Sequence, residues 1–259
     1  MRWRDSRAAG PRFSNAADGY VVDVLVNEQS SNRTRRRRKG VAQFLRDNSL
    51  SVACLVLFLV FVIGLALTGH REFNADQVAH GEPTLSFWSY LVDSHFWQAL
   101  SENWESEFLQ MGAYVLLTVF LVQKGSAESK DPDEHDAVDD DPDRSDPHAP
   151  WPVRRGGLWS KLYENSLVIA FAVLFLASFV VHAVSGAHAF SAEQQSHGEP
   201  AVTTLEYLGM ARFWFESFQN WQSEFLAVAA IVWFTVYLRQ RGSAESKPVA
   251  EPHSHTGAS

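Results

Sequence analysis

The chain has 259 residues, a formal net charge of −8 and 46% hydrophobic residues. Its mean hydropathy of −0.15 averages apolar blocks with polar tails, so each segment must be considered separately. The single cysteine, Cys54, excludes an intramolecular disulfide. The sequence has no GxSxG, P-loop, HExxH, CxxC or dinucleotide motif. We therefore expect no catalytic residues and a protein that is not an enzyme.

The first segment, residues 1–40, is polar and carries a cluster of basic residues at positions 33–39. Such a cluster is typical of nucleic-acid or anionic-lipid binding, but beside an apolar run it is better explained as a topology signal. We predict a disordered basic tail over residues 1–40 and no nucleic-acid partner.

Two long apolar runs predict membrane-spanning helices. Residues 50–68 carry no charged side chain, and residues 167–186 contain only His182 as an ionisable group. At 1.5 Å per residue, a helix of about 20 residues covers the ~30 Å hydrocarbon core of a bilayer. Each run is therefore long enough to form one span.

Two shorter runs, residues 108–122 and 225–238, predict two further spans. Each extends outward through an aromatic stretch that ends at Trp104 or Trp221. With these extensions, each run reaches about 18 residues, which is within the usual range for a transmembrane helix. The sequence thus predicts an all-α membrane protein with four transmembrane helices.

An internal repeat organises these spans. NSL at 48–50 returns at 165–167, which is 117 positions later. The same offset relates HGEP at 80–83 to 197–200, and GSAESK at 125–130 to 242–247. Repeats of this kind are architectural. We predict two parallel tandem repeats with two spans each, repeat 1 at 41–130 and repeat 2 at 158–247.

The remaining segments are polar. Residues 131–157 are rich in Asp, Glu and Pro, which predicts an acidic disordered linker. Residues 248–259 predict a disordered tail. Basic residues flank the spans on the side of the termini and the linker, so the positive-inside rule places both termini and the linker in the cytoplasm.

The motifs FLRDNSLS at 44–51, HGEP, NWxSEFL and GSAESK resemble an uncharacterised bacterial family of duplicated two-span membrane proteins that carries a domain-of-unknown-function label. The resemblance covers about residues 41–247. It implies this fold and a multi-pass location in the bacterial cytoplasmic (inner) membrane, but no activity. Members of that family begin near Val41, from which we hypothesise that residues 1–40 are a gene-model extension.

Each predicted outer loop has two parts. The HGEP segment predicts a fixed turn, because Gly81 tolerates backbone angles that other residues avoid and Pro83 keeps Glu82 extended. The segment from Trp88 to Leu100 has apolar residues at helical spacing. It predicts an aromatic helix at the membrane interface, leading into the second span or kinked against it.

The paired HGEP loops suggest a metal or proton site that the two halves share. Imidazole and carboxylate ligands suit zinc, manganese or iron. The alternative is structural, since the same histidine and glutamate side chains can lock the turn by hydrogen bonding. The candidate metal ligands are His80, Glu82, His197 and Glu199, with Glu107 and Glu224 as polar partners.

His182 has Leu65 as its repeat counterpart, so we interpret it as an interhelical hydrogen-bonding residue rather than part of a symmetric site. The leading functional hypothesis is a non-enzymatic structural or accessory membrane component. The alternative is an ion, proton or metal transport component, and a lipid-acting enzyme is the least favoured. Expected partners are the lipid bilayer and a homo-oligomer or larger membrane complex. No cofactor is expected other than a divalent metal.

Overall fold

The computed structural model describes residues 41–257, and the predictions for residues 1–40 lie outside the described residues. Over 41–257 the secondary structure is helical, with turns and no strand. The chain divides into two compact units between Thr68 and Gly69, within the first long helix. The contacts described below all lie in the second unit.

Eight α-helices follow residues 41–47, which are helical as well. In chain order they are α1 (Ser49–Ala79), α2 (Phe87–Tyr90), α3 (Ser94–Phe120), α4 (Trp151–Arg155), α5 (Gly157–Glu164), α6 (Ser166–Ser196), α7 (Thr204–Leu208) and α8 (Ala211–Tyr237). A short 3-10 helix, Ala137–Asp139, precedes α4. The first residues of α6, α7 and α8 lie 117 positions after those of α1, α2 and α3.

Helices α1 and α6 are long and apolar enough to cross a membrane. Each has 31 residues, and their most apolar stretches have mean hydropathies of 3.0 and 2.7. Only 6% and 17% of those stretches are buried within the protein. Large apolar side chains such as Phe61 and Leu176 are exposed, as lipid-facing side chains are. The shorter predicted spans lie in the C-terminal parts of α3 and α8, and the four-span arrangement stays a prediction.

Both HGEP segments form the C-terminal caps of long helices. Gly81 and Gly198 have φ of +74° and +80°, which favours glycine. The Glu82 N–H donates to the Gln77 carbonyl at 2.8 Å, and the Glu199 N–H donates to the Gln194 carbonyl at 2.9 Å. These bonds define Schellman caps. The predicted fixed turn is confirmed, but helix α1 continues to Ala79, since no Gly or Pro interrupts residues 70–79.

The predicted aromatic helix of the first outer loop is divided in two. Helix α2 is a single turn capped by the Ser86 side chain. Asp93 then caps a new helix by accepting a hydrogen bond from the His95 N–H. From Ser94 this helix runs without a break to Phe120, so Trp97 and Trp104 belong to the same helix as the second predicted span. The aromatic segment therefore leads directly into that span.

Helix α3 packs along α6 and also against α8. The buried face of α6 is made of small or polar residues, namely Ser178, His182, Ala183, Ser185, Gly186 and Ala187. Small side chains let helix backbones approach closely. This close approach places the polar face of α3 against His182.

The acidic linker contains several local turns. Carboxylates of Asp131, Asp136, Asp143 and Asp146 each accept a hydrogen bond from the backbone N–H two residues later. Such Asx turns form without a buried core. The disordered-linker prediction stays a prediction.

The C-terminal segment makes contacts that the sequence did not predict. The Lys247 ammonium, 1% exposed, donates to the backbone carbonyls of Gly125, Pro252, His253 and His255. The Gly257 N–H donates to the Ser126 carbonyl at 2.8 Å. This segment is therefore tied to the chain that follows α3.

Candidate functional site

An acidic cavity of about 580 Å³ opens between the C-terminal ends of α1 and α6 and the N-terminal ends of α3 and α8. Among the described residues, its lining contains five carboxylates and three imidazoles but only one arginine, Arg212. The carboxylates are Glu72, Asp76, Glu82, Asp93 and Glu193, and the imidazoles are His80, His95 and His197. We refer to this space as the acidic cavity.

The structure brings three of the four predicted metal ligands to this cavity. His80, Glu82 and His197 line it, whereas Glu199 is exposed outside the lining. His80 is bound locally, since its Nδ1 lies 3.0 Å from the Asp76 carbonyl oxygen. Glu107 is exposed on α3 and does not line the cavity. Glu224 is half-buried on α8, also outside the lining, and the paired HGEP metal site stays a prediction.

A second polar cluster lies deeper, where α3, α6 and α8 meet. It consists of Glu102 and Glu105 on α3, His182 on α6 and Glu216 on α8, and we call it the buried centre. Residues three apart share a helix face, so Glu102 and Glu105 lie on the same face of α3. The Nδ1 atom of His182 lies 2.8 Å from Glu105 Oε2, and both side chains are 0% exposed. The predicted interhelical hydrogen bond of His182 is thus confirmed.

Glu105 and Glu102 both accept hydrogen bonds from side chains of other helices. The Trp221 indole N–H donates to Glu105 Oε1 at 3.1 Å, which leaves both Glu105 oxygens with a partner. Asn220 donates to Glu102 Oε1. Trp221 and Asn220 come from the second copy of the NWxSEFL motif, so this copy positions two carboxylates of α3.

Glu216 has the most donors of the four residues. The Tyr207 hydroxyl donates to its Oε2 at 2.6 Å, and the Arg212 Nε–H donates to its Oε1 at 3.1 Å. Gln98 donates to Oε2 at 3.2 Å. Burial raises the pKa of the Tyr207 hydroxyl above its ordinary value, so this group stays protonated and remains a donor at physiological pH.

The two ring nitrogens of His182 have different surroundings. Nδ1 is bound to Glu105, but the buried Nε2 has no hydrogen-bond partner in the described part of the chain. Its nearest carboxylate oxygen is Glu216 Oε2, at 3.5 Å. Phe213 stacks on the ring at 4.8 Å between centroids and shields it. One atom each of Glu102, His182 and Glu216 lie within 4.8 Å of one another, an arrangement that can hold a metal ion.

Two side chains connect the acidic cavity to the buried centre. Gln98 and Arg212 both line the cavity, and both donate to Glu216. Arg212 also forms an ion pair of 2.7 Å with Glu193 of the cavity wall. The cavity and the centre therefore share one hydrogen-bond network.

A family model described as Domain of unknown function (DUF6766) matches residues 41–258. The chain belongs to this family. No curated protein and no solved structure matches the chain. The family description names no activity.

The glutamates of the buried centre were not predicted from the sequence. The predicted site consists of residues that the two halves share, whereas the buried centre consists of residues at which the halves differ. The repeat counterparts of Glu102, Glu105, His182 and Glu216 are Gln219, Gln222, Leu65 and Ala99. A sequence signal for these residues does exist. Each is ionisable, lies in or beside an apolar run, and has an apolar or amide residue at the equivalent position of the other half.

Proposed function

We propose that the chain is a multi-pass protein of a bacterial inner membrane that handles cations through its buried centre. In this proposal α1, α3, α6 and α8 each cross the bilayer, as two parallel repeats with both termini in the cytoplasm. The protein is a non-enzymatic transport component, and the acidic cavity opens on the extracytoplasmic side.

The observation that carries the proposal is the His182–Glu105 pair. His182 lies within the apolar stretch of a helix long enough to span a membrane, and both members of the pair are 0% exposed. Removing two charges from water costs several kcal/mol for each ion, and the attraction between them often fails to recover that cost. Ionisable groups at such positions mark ion or proton pathways by default.

The acidic cavity supports the same proposal. Its excess of carboxylates attracts cations and raises their local concentration. Gln98 and Arg212 line the cavity and donate to Glu216, so these two side chains join the cavity to the buried centre. A purely structural role requires neither the cavity nor this connection.

The test is a flux measurement with the full-length protein in sealed lipid vesicles. An imposed gradient of protons, Mn²⁺ or Zn²⁺ is followed with a pH-sensitive or metal-sensitive dye inside the vesicles. We expect flux of at least one cation above that of protein-free vesicles. We expect its loss in His182→Leu, which installs the residue that the first repeat has at this position.

The matched control is His188→Ala, a substitution of an exposed histidine on the same helix. It should keep the flux of the wild type. Size-exclusion chromatography verifies that both variants are folded. Absence of flux for all three cations in the wild type would contradict the proposal and leave the structural or accessory role.

A further inference from the structure

We propose that Glu102, His182 and Glu216 bind one divalent transition-metal cation, with Glu105 as the residue that orients the His182 ring. This inference rests on the proposed cation-handling function and specifies its ion. It places the metal in the buried centre rather than at the HGEP loops, where the sequence predicts a metal site.

The distances fit a shared metal better than a direct hydrogen bond. His182 Nε2 lies 3.5 Å from Glu216 Oε2, without hydrogen-bond geometry. Two ligand atoms bonded to one metal at about 2.1 Å, with a tetrahedral angle between the bonds, lie roughly 3.4 Å apart. The ligand atoms of Glu102, His182 and Glu216 all fall within 4.8 Å, so one ion can reach the three of them.

The hydrogen bonds of His182 prepare Nε2 for a metal. Because Glu105 accepts a hydrogen bond at 2.8 Å, the proton of a neutral imidazole is on Nδ1. The lone pair is then on Nε2, a buried atom with no hydrogen-bond partner among the described residues. Histidines that bind metals in proteins almost always donate their other N–H to a carboxylate or carbonyl in this way. The Trp221 bond to Glu105 fixes the orienting carboxylate in turn.

The net charge of the buried centre also favours a bound cation. The buried centre has three carboxylates, and among the described ion pairs the only cation besides His182 that contacts them is Arg212. Arg212 forms ion pairs with both Glu216 and Glu193, so it does not neutralise Glu216 alone. When a metal is bound, His182 is neutral, and the three carboxylates then give the centre excess negative charge, which the divalent cation compensates.

The donor set selects the class of metal. One imidazole nitrogen with two carboxylates suits Mn²⁺, Fe²⁺ or Zn²⁺, whereas Mg²⁺ and Ca²⁺ prefer oxygen ligands alone. Three protein ligands leave at least one coordination position for water. An open position of this kind is suited to an ion that must enter and leave through the acidic cavity.

The experiment measures Mn²⁺ binding to the full-length protein in detergent after treatment with a chelator. Free Mn²⁺ is followed by electron paramagnetic resonance, and Zn²⁺ is added as a competitor. We expect one Mn²⁺ per chain, displaced by Zn²⁺. Glu102→Gln should abolish this binding, and Glu105→Gln, which keeps all three ligands, should weaken it about 10–100-fold.

Two controls make the result specific. Glu134→Gln removes one exposed carboxylate from the acidic linker and should leave Mn²⁺ binding unchanged. Glutamine has nearly the same shape and volume as glutamate, so Glu102→Gln and Glu105→Gln each remove a charge without changing the size of the side chain. Size-exclusion chromatography and the circular dichroism of each variant confirm that it is folded.

The possible outcomes separate this inference from the proposed function. The inference is overturned if the wild type binds no Mn²⁺ or Zn²⁺, or if binding survives Glu102→Gln and is lost in His80→Ala/His197→Ala. Proton flux without metal binding would overturn the inference and leave the proposed function standing. Metal binding without flux of any cation would support the inference and overturn the proposed function.

Discussion

The His182–Glu105 pair lies where neither group can reach water, because both side chains are 0% exposed. Glu105 is satisfied on both oxygens, by His182 and by Trp221. Breaking a buried ion pair by removing one partner costs about 3–5 kcal/mol, mainly because the other charge stays buried without compensation. The stability of the helix packing therefore depends on both partners being present together.

This dependence predicts strong coupling between the two residues. We expect His182→Leu to lower the free energy of unfolding by about 3 kcal/mol. The double variant His182→Leu/Glu105→Gln should have a free energy of unfolding about 1 kcal/mol or more above that of His182→Leu, because the neutral amide replaces the unpaired buried carboxylate. The measurement is denaturant unfolding in detergent micelles, with chelator present so that metal binding does not contribute.

The single variant Glu105→Gln completes a double-mutant cycle with His182→Leu and the double variant. If the two single effects simply add in the double variant, the residues do not interact, and the energetic role assigned to this pair is wrong. A coupling of about 0.5–3 kcal/mol is expected for residues in direct contact.

At the level of residues, the sequence predicted the bonding type of His182 but not its partner. An apolar run with one histidine indicates a polar contact between helices, because an unpaired imidazole there is costly. The identity of Glu105 depends on which face of α3 packs against α6, which hydropathy does not specify. Two of the residues that the halves share, His80 and His197, lie at the acidic cavity instead.

At the scale of helices, two glycine–tyrosine contacts set the helix spacing beside the acidic cavity. Gly69 contacts Tyr90, and Gly186 contacts Tyr207. The two pairs are repeat counterparts at the 117-residue offset. A Cβ atom at Gly186 would lie 2.6 Å from Tyr207 Cε1 and 2.9 Å from its hydroxyl oxygen. Tyr207 is 0% exposed and donates to Glu216, so it has little freedom to move away.

We predict that Gly186→Ala lowers the free energy of unfolding by about 1–3 kcal/mol, as overpacking does in other well-packed interiors. The control is Gly64→Ala on α1, where a Cβ would meet, among the described residues, no atom within 4 Å apart from the nearby backbone of its own helix. This control should stabilise the protein by about 0.5–1 kcal/mol, because alanine favours a helix interior over glycine. Thermal unfolding of both variants in the same detergent makes the comparison. Equal effects would show that Tyr207 does not restrict this position.

The sequence predicts the presence of the long apolar helices but not the residues at which they end. The uncharged runs at 50–68 and 167–186 are confirmed as parts of α1 and α6. The structure extends both helices to the HGEP caps, because polar residues without Gly or Pro continue a helix as readily as apolar ones do. The break between α2 and α3 depends on Asp93, which caps the N-terminus of α3. The helical spacing of apolar residues from Trp88 to Leu100 continues across this break and therefore does not predict it.

For the whole molecule, the two GSAESK segments show how identical sequences acquire different contacts. Lys130 donates to the Val119 carbonyl and to Asp139 of the acidic linker. Its counterpart Lys247 donates to four backbone carbonyls, three of them in the C-terminal segment. The repeat predicted equivalent helices, but the different sequences that follow each lysine determine its partners. Composition alone therefore could not predict the contacts of residues 248–257.

The proposed topology makes a prediction about which loops face the same side of the membrane. Cys54 is the only native cysteine, so a Cys54→Ser background allows single cysteines to be placed in exposed loops. Thr84→Cys and Ala201→Cys are repeat counterparts just beyond the two HGEP turns, and Asp133→Cys and Ser254→Cys lie in the linker and the C-terminal segment.

Two parallel two-span repeats place positions 84 and 201 outside the cell membrane, with 133 and 254 in the cytoplasm. We therefore expect a membrane-impermeant maleimide to label Thr84→Cys and Ala201→Cys in intact spheroplasts. It should label Asp133→Cys and Ser254→Cys only after the membrane is opened. Labelling of all four positions in the opened membranes is the control for accessibility. If positions 84 and 201 lie on opposite sides, the repeats are not parallel. If 84 and 133 lie on the same side, α3 does not cross the bilayer, and a cavity that faces the extracytoplasmic side is excluded with it.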